Sequence, residues 1–236
     1  MHLPISAIAS GGPAVVGPVI ESTRYRTGGS SSLVLLDIYA PVDKEAGDLL
    51  VALVTIDTTA NSPTIYCQDV NWNQRFAYGT TDTDAQVSVW TKTATAGTDT
   101  LRIELLTGPA YHAQAWMLRV SGADLTTPIN AVRLTNGASI SASHVVGGIT
   151  PDRDNCLPLY LLAGDSGVWP TIPHGISGAG WTLGDTKASS NTNNNQVHGS
   201  WGYKDIQPIA EATGSVTVTP LITDGAAWAQ FAINAE

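Results

Sequence analysis

Short apolar runs, each broken by a cluster of turn-forming residues, recur along almost the whole chain. No window of a dozen residues combines helical apolar spacing with end caps. This excludes a helical fold and points to many strands joined by turns. Leu101-Arg102-Ile103-Glu104-Leu105, Val87-Ser88-Val89 and Val216-Thr217-Val218-Thr219 alternate, as strands do when one face meets the core and the other meets water. Strands are predicted at Ser32–Ala40, Leu49–Asp57, Gln86–Ala94, Thr100–Leu106 and His112–Ser121. A second set follows at Ile140–Thr150, Leu157–Ala163, His198–Ile206, Ser215–Ile222 and Ala226–Asn234.

The two sets read as copies. Asn71-Trp72 aligns with Gly180-Trp181, Trp90 with Trp201, and Trp116 with Trp228, at offsets of 109, 111 and 112 residues. Ser62–Ile65 aligns with Trp169–Ile172, and Asp57 with Asp165. A drift this small is what a few loop insertions produce, so the sequence predicts an internal duplication of a unit of about five strands. One feature is out of phase: Leu118 and Val120 share the face of Trp116, whereas Phe231 and Ile233 alternate against Trp228. Either a bulge intervenes or the true register differs by one. The expected architecture is an all-β, antiparallel, jelly-roll-like β-sandwich over residues 32–236. Its repeat halves are 32–121 and 140–236, linked by a packed connection over 122–139; one sandwich of about ten strands interleaved in two sheets is favoured, with two separate sandwiches of roughly 100 residues each as the alternative.

Residues 1–31 stand outside this pattern. Glycines and prolines interrupt them, yet Ile5, Ile8, Val15, Val16, Val19 and Ile20 are apolar. We read them as an extended N-terminal arm that adds to a sheet edge, its own or a neighbour's, with those six residues as the partner-binding set. Met1-His2-Leu3-Pro4 has no basic residues ahead of the weakly apolar stretch that follows, so a secretory signal is not predicted and synthesis in the cytoplasm is. A net charge of −9 with only 11 Lys+Arg leaves no basic footprint for nucleic acid or an anionic membrane. The two cysteines, Cys67 and Cys156, match no metal or redox spacing. Reduced thiols and a mutual disulfide both fit.

Little in the sequence suggests turnover. Gly164-Asp165-Ser166-Gly167 imitates a serine-protease nucleophile segment but lacks its companion motifs, and reads as a turn after the strand that precedes it. Asp82/Asp84 and Asp152/Asp154 are spaced i, i+2, which suits neither the separated carboxylates of a glycosidase nor anything more specific than a loop calcium site. The histidines form no HxxxH or HxH pair. No catalytic residue, metal ligand or cofactor site is therefore assigned. Tryptophans repeated in both copies are expected to be structural. Trp169, whose partner position is Ser62, is the exception: with His174 it marks a possible exposed loop contact for a sugar or a protein.

Gly47-Asp48-Leu49-Leu50-Val51-Ala52, a loop ending at Trp72, Val87–Thr91, and Arg119-Val120-Ser121-Gly122-Ala123-Asp124 followed by Pro128-Ile129 together resemble a pattern recurrent in phage-encoded virion proteins. The second half repeats it weakly from Asp154-Asn155-Cys156-Leu157. The resemblance implies a β-sandwich displayed on a capsid or tail and carries over no catalytic residues. The expected function is that of a non-enzymatic capsid decoration (cement) protein, located in the virion. It would bind the major capsid protein or other virion proteins as a homotrimer. A tail fibre, spike or baseplate module binding host glycan is the alternative, and a polysaccharide-degrading enzyme a more distant one.

Overall fold

The computed structural model describes residues 17–30, 34–57, 65–67, 69, 71–79, 85–105, 111–166, 174–189, 196–207, 211–219 and 224–236. Every regular element in them is a strand, and adjacent strands in each sheet run antiparallel. The first eight are β1 (Val19–Ser30), β2 (Val34–Tyr39), β3 (Leu49–Asp57), β4 (Ile65–Cys67), β5 (Asn73–Gly79), β6 (Ala85–Thr93), β7 (Thr100–Leu105) and β8 (Tyr111–Ser121). The next eight are β9 (Ile129–Ser141), β10 (His144–Val146), β11 (Leu157–Ser166), β12 (Gly175–Ser177), β13 (Trp181–Ala188), β14 (Gln196–Lys204), β15 (Val216–Thr219) and β16 (Asp224–Ile233).

Topology establishes the duplication. The first eight strands form a five-stranded sheet, β1-β8-β3-β6-β5, and a three-stranded sheet, β2-β7-β4. The second eight form β9-β16-β11-β14-β13 and β10-β15-β12, the same orders with each strand number raised by eight. Each unit is thus an eight-stranded jelly-roll-like sandwich, larger than the predicted five-stranded repeat. Among the described residues no ladder joins the two units, and the one bridge between them is Ala123 to Ala235. The halves therefore stand in tandem, and the interleaved single sandwich is corrected.

The physical reason lies in β3. All nine of its residues are buried, so its sheet is covered on both faces. Leu50, Ala52, Val54 and Ile56 meet Leu36, Ile38, Leu101 and Ile103 of the small sheet of their own unit. Leu49, Val51 and Leu53 meet Leu157, Leu159, Leu161 and Phe231 of the other unit. The chain is four layers deep, three-five-five-three, and the largest hydrophobic core is the one the two units share. The alternating strands β7 and β15 belong to the outer, half-wet sheets as predicted. Val87-Ser88-Val89 does not: β6 is buried on both faces, and Ser88 accepts a hydrogen bond from Trp90 Nε1 at 3.1 Å.

Part of the predicted arm takes the alternative of its own sheet edge, and the predicted connection changes role. Val19–Ser30, assigned to the arm, pairs with β8 along its whole length as the edge strand of its own sheet. Ile20 packs against the shared core and Val19 is half exposed. Ile5, Ile8, Val15 and Val16 lie outside the described residues. Most of the 122–139 connection is strand β9, the counterpart of β1. Both were missed because an edge strand buries one face at most, and the charged residues of β1 dilute its alternation.

Registers also settle the tryptophan pairs. Leu53 pairs with Val89 and Trp116, while its counterpart Leu161 pairs with Trp201 and Ala229. Trp116 therefore corresponds to Ala229, and Trp201 to Val89. Two of the three pairs are one residue out of register and face opposite layers: Trp90 and Trp228 point to the outer cores, Trp201 and Trp116 to the shared one. Trp72 and Trp181 are true counterparts, each closing the outer core of its unit. The one-residue correction brings Phe231 and Ile233 into phase with Leu118 and Val120 on the shared core.

Candidate functional site

Three polar assemblies stand out among the described residues, one in each unit and one at the seam. In the first unit Asp99, fully buried, receives Lys44 Nζ at 2.9 Å, Lys92 Nζ at 3.0 Å, the Thr95 amide at 2.8 Å and the Thr95 hydroxyl at 3.0 Å. Burial alone would raise its pKa; the bonds from Lys44, Thr95 and Lys92 outweigh it and hold the carboxyl at about 2. The cluster ties the turn before β3 to the β6–β7 connection, a structural task. Asp99→Ala should cost about 3 kcal/mol, because buried Lys92 keeps only Asp69, at 3.0 Å, as a counter-charge, and the Thr95 amide and Lys44 lose their acceptor. Urea unfolding would measure it, and a loss under 1 kcal/mol would refute the assignment.

In the second unit His174 Nε2 and His198 Nδ1 are 3.0 Å apart with their rings edge to face, and His144 packs on Trp228 with ring centroids 5.3 Å apart. All three are buried. Burial lowers their pKa values, and neighbouring imidazoles lower those of His144 and His174 further. His174 is thus corrected from an exposed contact to a core residue, while Trp169 lies outside the described residues. Gly164-Asp165-Ser166 is not a turn but the end of β11, paired with β14. Its glycine has a packing reason: a Cβ there would sit 2.2 Å from His198 Nε2.

Of the two candidate carboxylate pairs, the structure describes one. Asp82 and Asp84 lie outside the described residues. Asp152 and Asp154 are exposed on a turn, next to Arg153, which bonds Asp124 at 2.8 Å. No three His, Cys, Asp or Glu side chains converge as metal ligands among the described residues. Cys67 and Cys156 are free thiols in different units.

At the seam, hydrogen bonds cross from unit to unit. Trp116 Nε1 donates to Asp185 Oδ2 at 2.9 Å, and Gln114 Nε2 donates to the Lys187 carbonyl at 3.3 Å. Tyr25 OH donates to Gln114 Oε1 at 3.0 Å, and Lys187 Nζ lies 5.8 Å from the Tyr25 ring centroid. Beside this bridge the seam opens into a cavity of about 510 Å³ between β1 on one side and β13 and β14 on the other. Trp201 and Tyr203 form its aromatic wall, with ring centroids 6.2 Å apart. Glu21 and Thr23 stand on the β1 side, and Lys204 and Asp205 where β14 ends. Sequence reasoning assigned Trp201 to structure and left β1 out of the sandwich, so it had no means of bringing these residues together.

The chain has no significant match among family models, curated proteins or solved structures.

Proposed function

We propose that the chain is a non-enzymatic virion structural protein that decorates the outer surface of a capsid, binding the major capsid protein as a homotrimer and stabilising the shell. The observation that carries this reading is the shared core. It joins two jelly-roll-like units into one slab, a form suited to bearing load. The buried ionisable side chains support it too, since Asp99, Lys92 and the histidine pair are engaged with one another in the interior. The edge strand β1 follows directly on residues 1–16, so an arm at that end would leave from a sheet edge, where strand addition to a neighbour is open. Three-fold assembly rests on the local symmetry of capsid lattices, where many weak contacts are multiplied.

The seam cavity favours a second reading, a tail fibre, spike or baseplate module that binds host glycan. Copy number separates the two. Quantitative mass spectrometry of purified virions should find hundreds of copies for decoration and a dozen or fewer for a tail component. Absence from the particle would overturn both.

A further inference from the structure

The duplication supplies an internal control for the cavity. Contacts between the units are reciprocal: β6 meets β11 and β16, and in exchange β14 meets β3 and β8. The body therefore has two seams related by exchange of the units. At one, β5 lies against β9 and β16, and Phe76 fills the space edge-on to Phe231 with centroids 5.4 Å apart. At the other, β13 faces β1 and the cavity remains.

The substitutions that separate the seams are specific. Both edge strands carry a bulge at the same place, between Gln74 and Phe76 in β5 and between Leu183 and Asp185 in β13. The bulged residue is Arg75 in the first unit, where its Nε bonds Thr91 Oγ1 at 2.6 Å. In the second unit it is Gly184. A Cβ there would come within 2.5 Å of the Trp201 ring, so only glycine lets the indole lie across the bulge. The counterparts of Trp201 and Tyr203 are Val89 and Thr91. The first copy carries an arginine, a valine and a threonine at these positions, and its seam is filled by Phe76, whose counterpart is Asp185. The second copy presents glycine, tryptophan and tyrosine, an aromatic wall that the architecture does not require. Trp201 is 2% exposed and its Nε1 has no acceptor.

We propose that the seam cavity binds a neutral saccharide, held against Trp201 and Tyr203. Its size falls within the ~300–1,000 Å³ of small-molecule sites, and seams between units are where such sites concentrate. The lining selects the class. The half-buried Tyr203 ring, backed by the nearly buried Trp201, suits the apolar face of a pyranose, and Glu21, Thr23 and Lys204 offer hydrogen bonds of both senses. Two carboxylates, Glu21 and Asp205, against the one ammonium of Lys204 disfavour an anion. This inference rests on the asymmetry of the two seams and not on the virion reading, which copy number tests separately.

The test titrates the full chain with a panel of neutral hexose and N-acetylhexosamine mono- and disaccharides. Calorimetry reads affinity, and the Trp201 indole N–H resonance, assigned with Trp201→Phe, reads location. At least one sugar should bind at millimolar affinity or better and shift that resonance. Tyr203→Thr, which copies the first unit at a half-buried position, should weaken binding tenfold or more with the thermal midpoint nearly unchanged. Gly184→Arg should abolish it. Failure of every sugar to bind, binding that leaves the Trp201 resonance in place, or undiminished binding by a folded Tyr203→Thr variant would each overturn the proposal. Uptake of an apolar dye, with sugars rejected, would do the same.

Discussion

Phe231→Ala is expected to destabilise the entire chain, and not the second unit alone, by about 4 kcal/mol. The ring is fully buried, contributes to the core that both five-stranded sheets share, and meets Phe76 of the other unit edge-on. Removing it opens a cavity between two sheets whose strands are held in place by their ladders, so little of the loss is recovered by relaxation. A domain of this kind has only about 5–15 kcal/mol in hand, so the effect is a large share of the total. Trp72 and Trp90 report on the first unit, and Trp181 and Trp228 on the second. Urea unfolding followed by tryptophan fluorescence should move as one transition to lower denaturant. A second-unit transition that shifts while the first stays put would show that the shared core does not couple the units.

The second large effect is acid lability. The unfolded-state pKa of histidine is near 6.5. In the folded chain His144 is held down at about 4, by burial first and by His198 second, and the His174–His198 pair is also held well below the ordinary value by burial. A base whose folded pKa is depressed binds more protons when unfolded. Its stability contribution is complete above pH 6.5 and is lost as pH falls from 6.5 toward 4. Each pKa unit between the two states is worth about 1.4 kcal/mol, so three such rings withdraw a substantial part of the stability in that window. Asp99, held at about 2, adds a separate loss only below pH 3.8. Urea midpoints at pH 7.5, 5.5 and 4.0 should fall steadily. His144→Phe, which keeps the ring against Trp228, should flatten the slope. A midpoint independent of pH between 7.5 and 4.5 would contradict the buried neutral assignment.

Every strand inside a sheet was legible in the letters, while among the edge strands only β2 and β10 were. Leu49–Asp57 and Thr100–Leu105 were legible almost to the residue, and both lie inside their sheets. The missed strands β1, β4, β5, β9, β12 and β13 all lie at sheet edges. β5 buries none of its residues fully, and only Phe76 and Tyr78 mark its inner face, too short an alternation to read. One signal was available and went unused: Leu49-Leu50-Val51-Ala52-Leu53-Val54 is apolar without alternation, which marks a strand covered on both faces and hence more than two layers. The candidate site was less legible. His174 looked like a loop residue beside Trp169, yet it is buried against His198, a residue 24 positions away that no spacing rule connects to it.

Strand class and duplication were determined by the sequence alone, because alternation and repetition are local properties that each segment carries whatever it packs against. Which face each tryptophan serves was decided only by the tertiary structure. A slip of one residue reverses every side chain in a strand, and nothing but the neighbouring strand holds the register. The seam likewise exists only once two similar units are laid face to face: it closes where Phe76 meets Phe231 and stays open where Gly184 replaces an arginine.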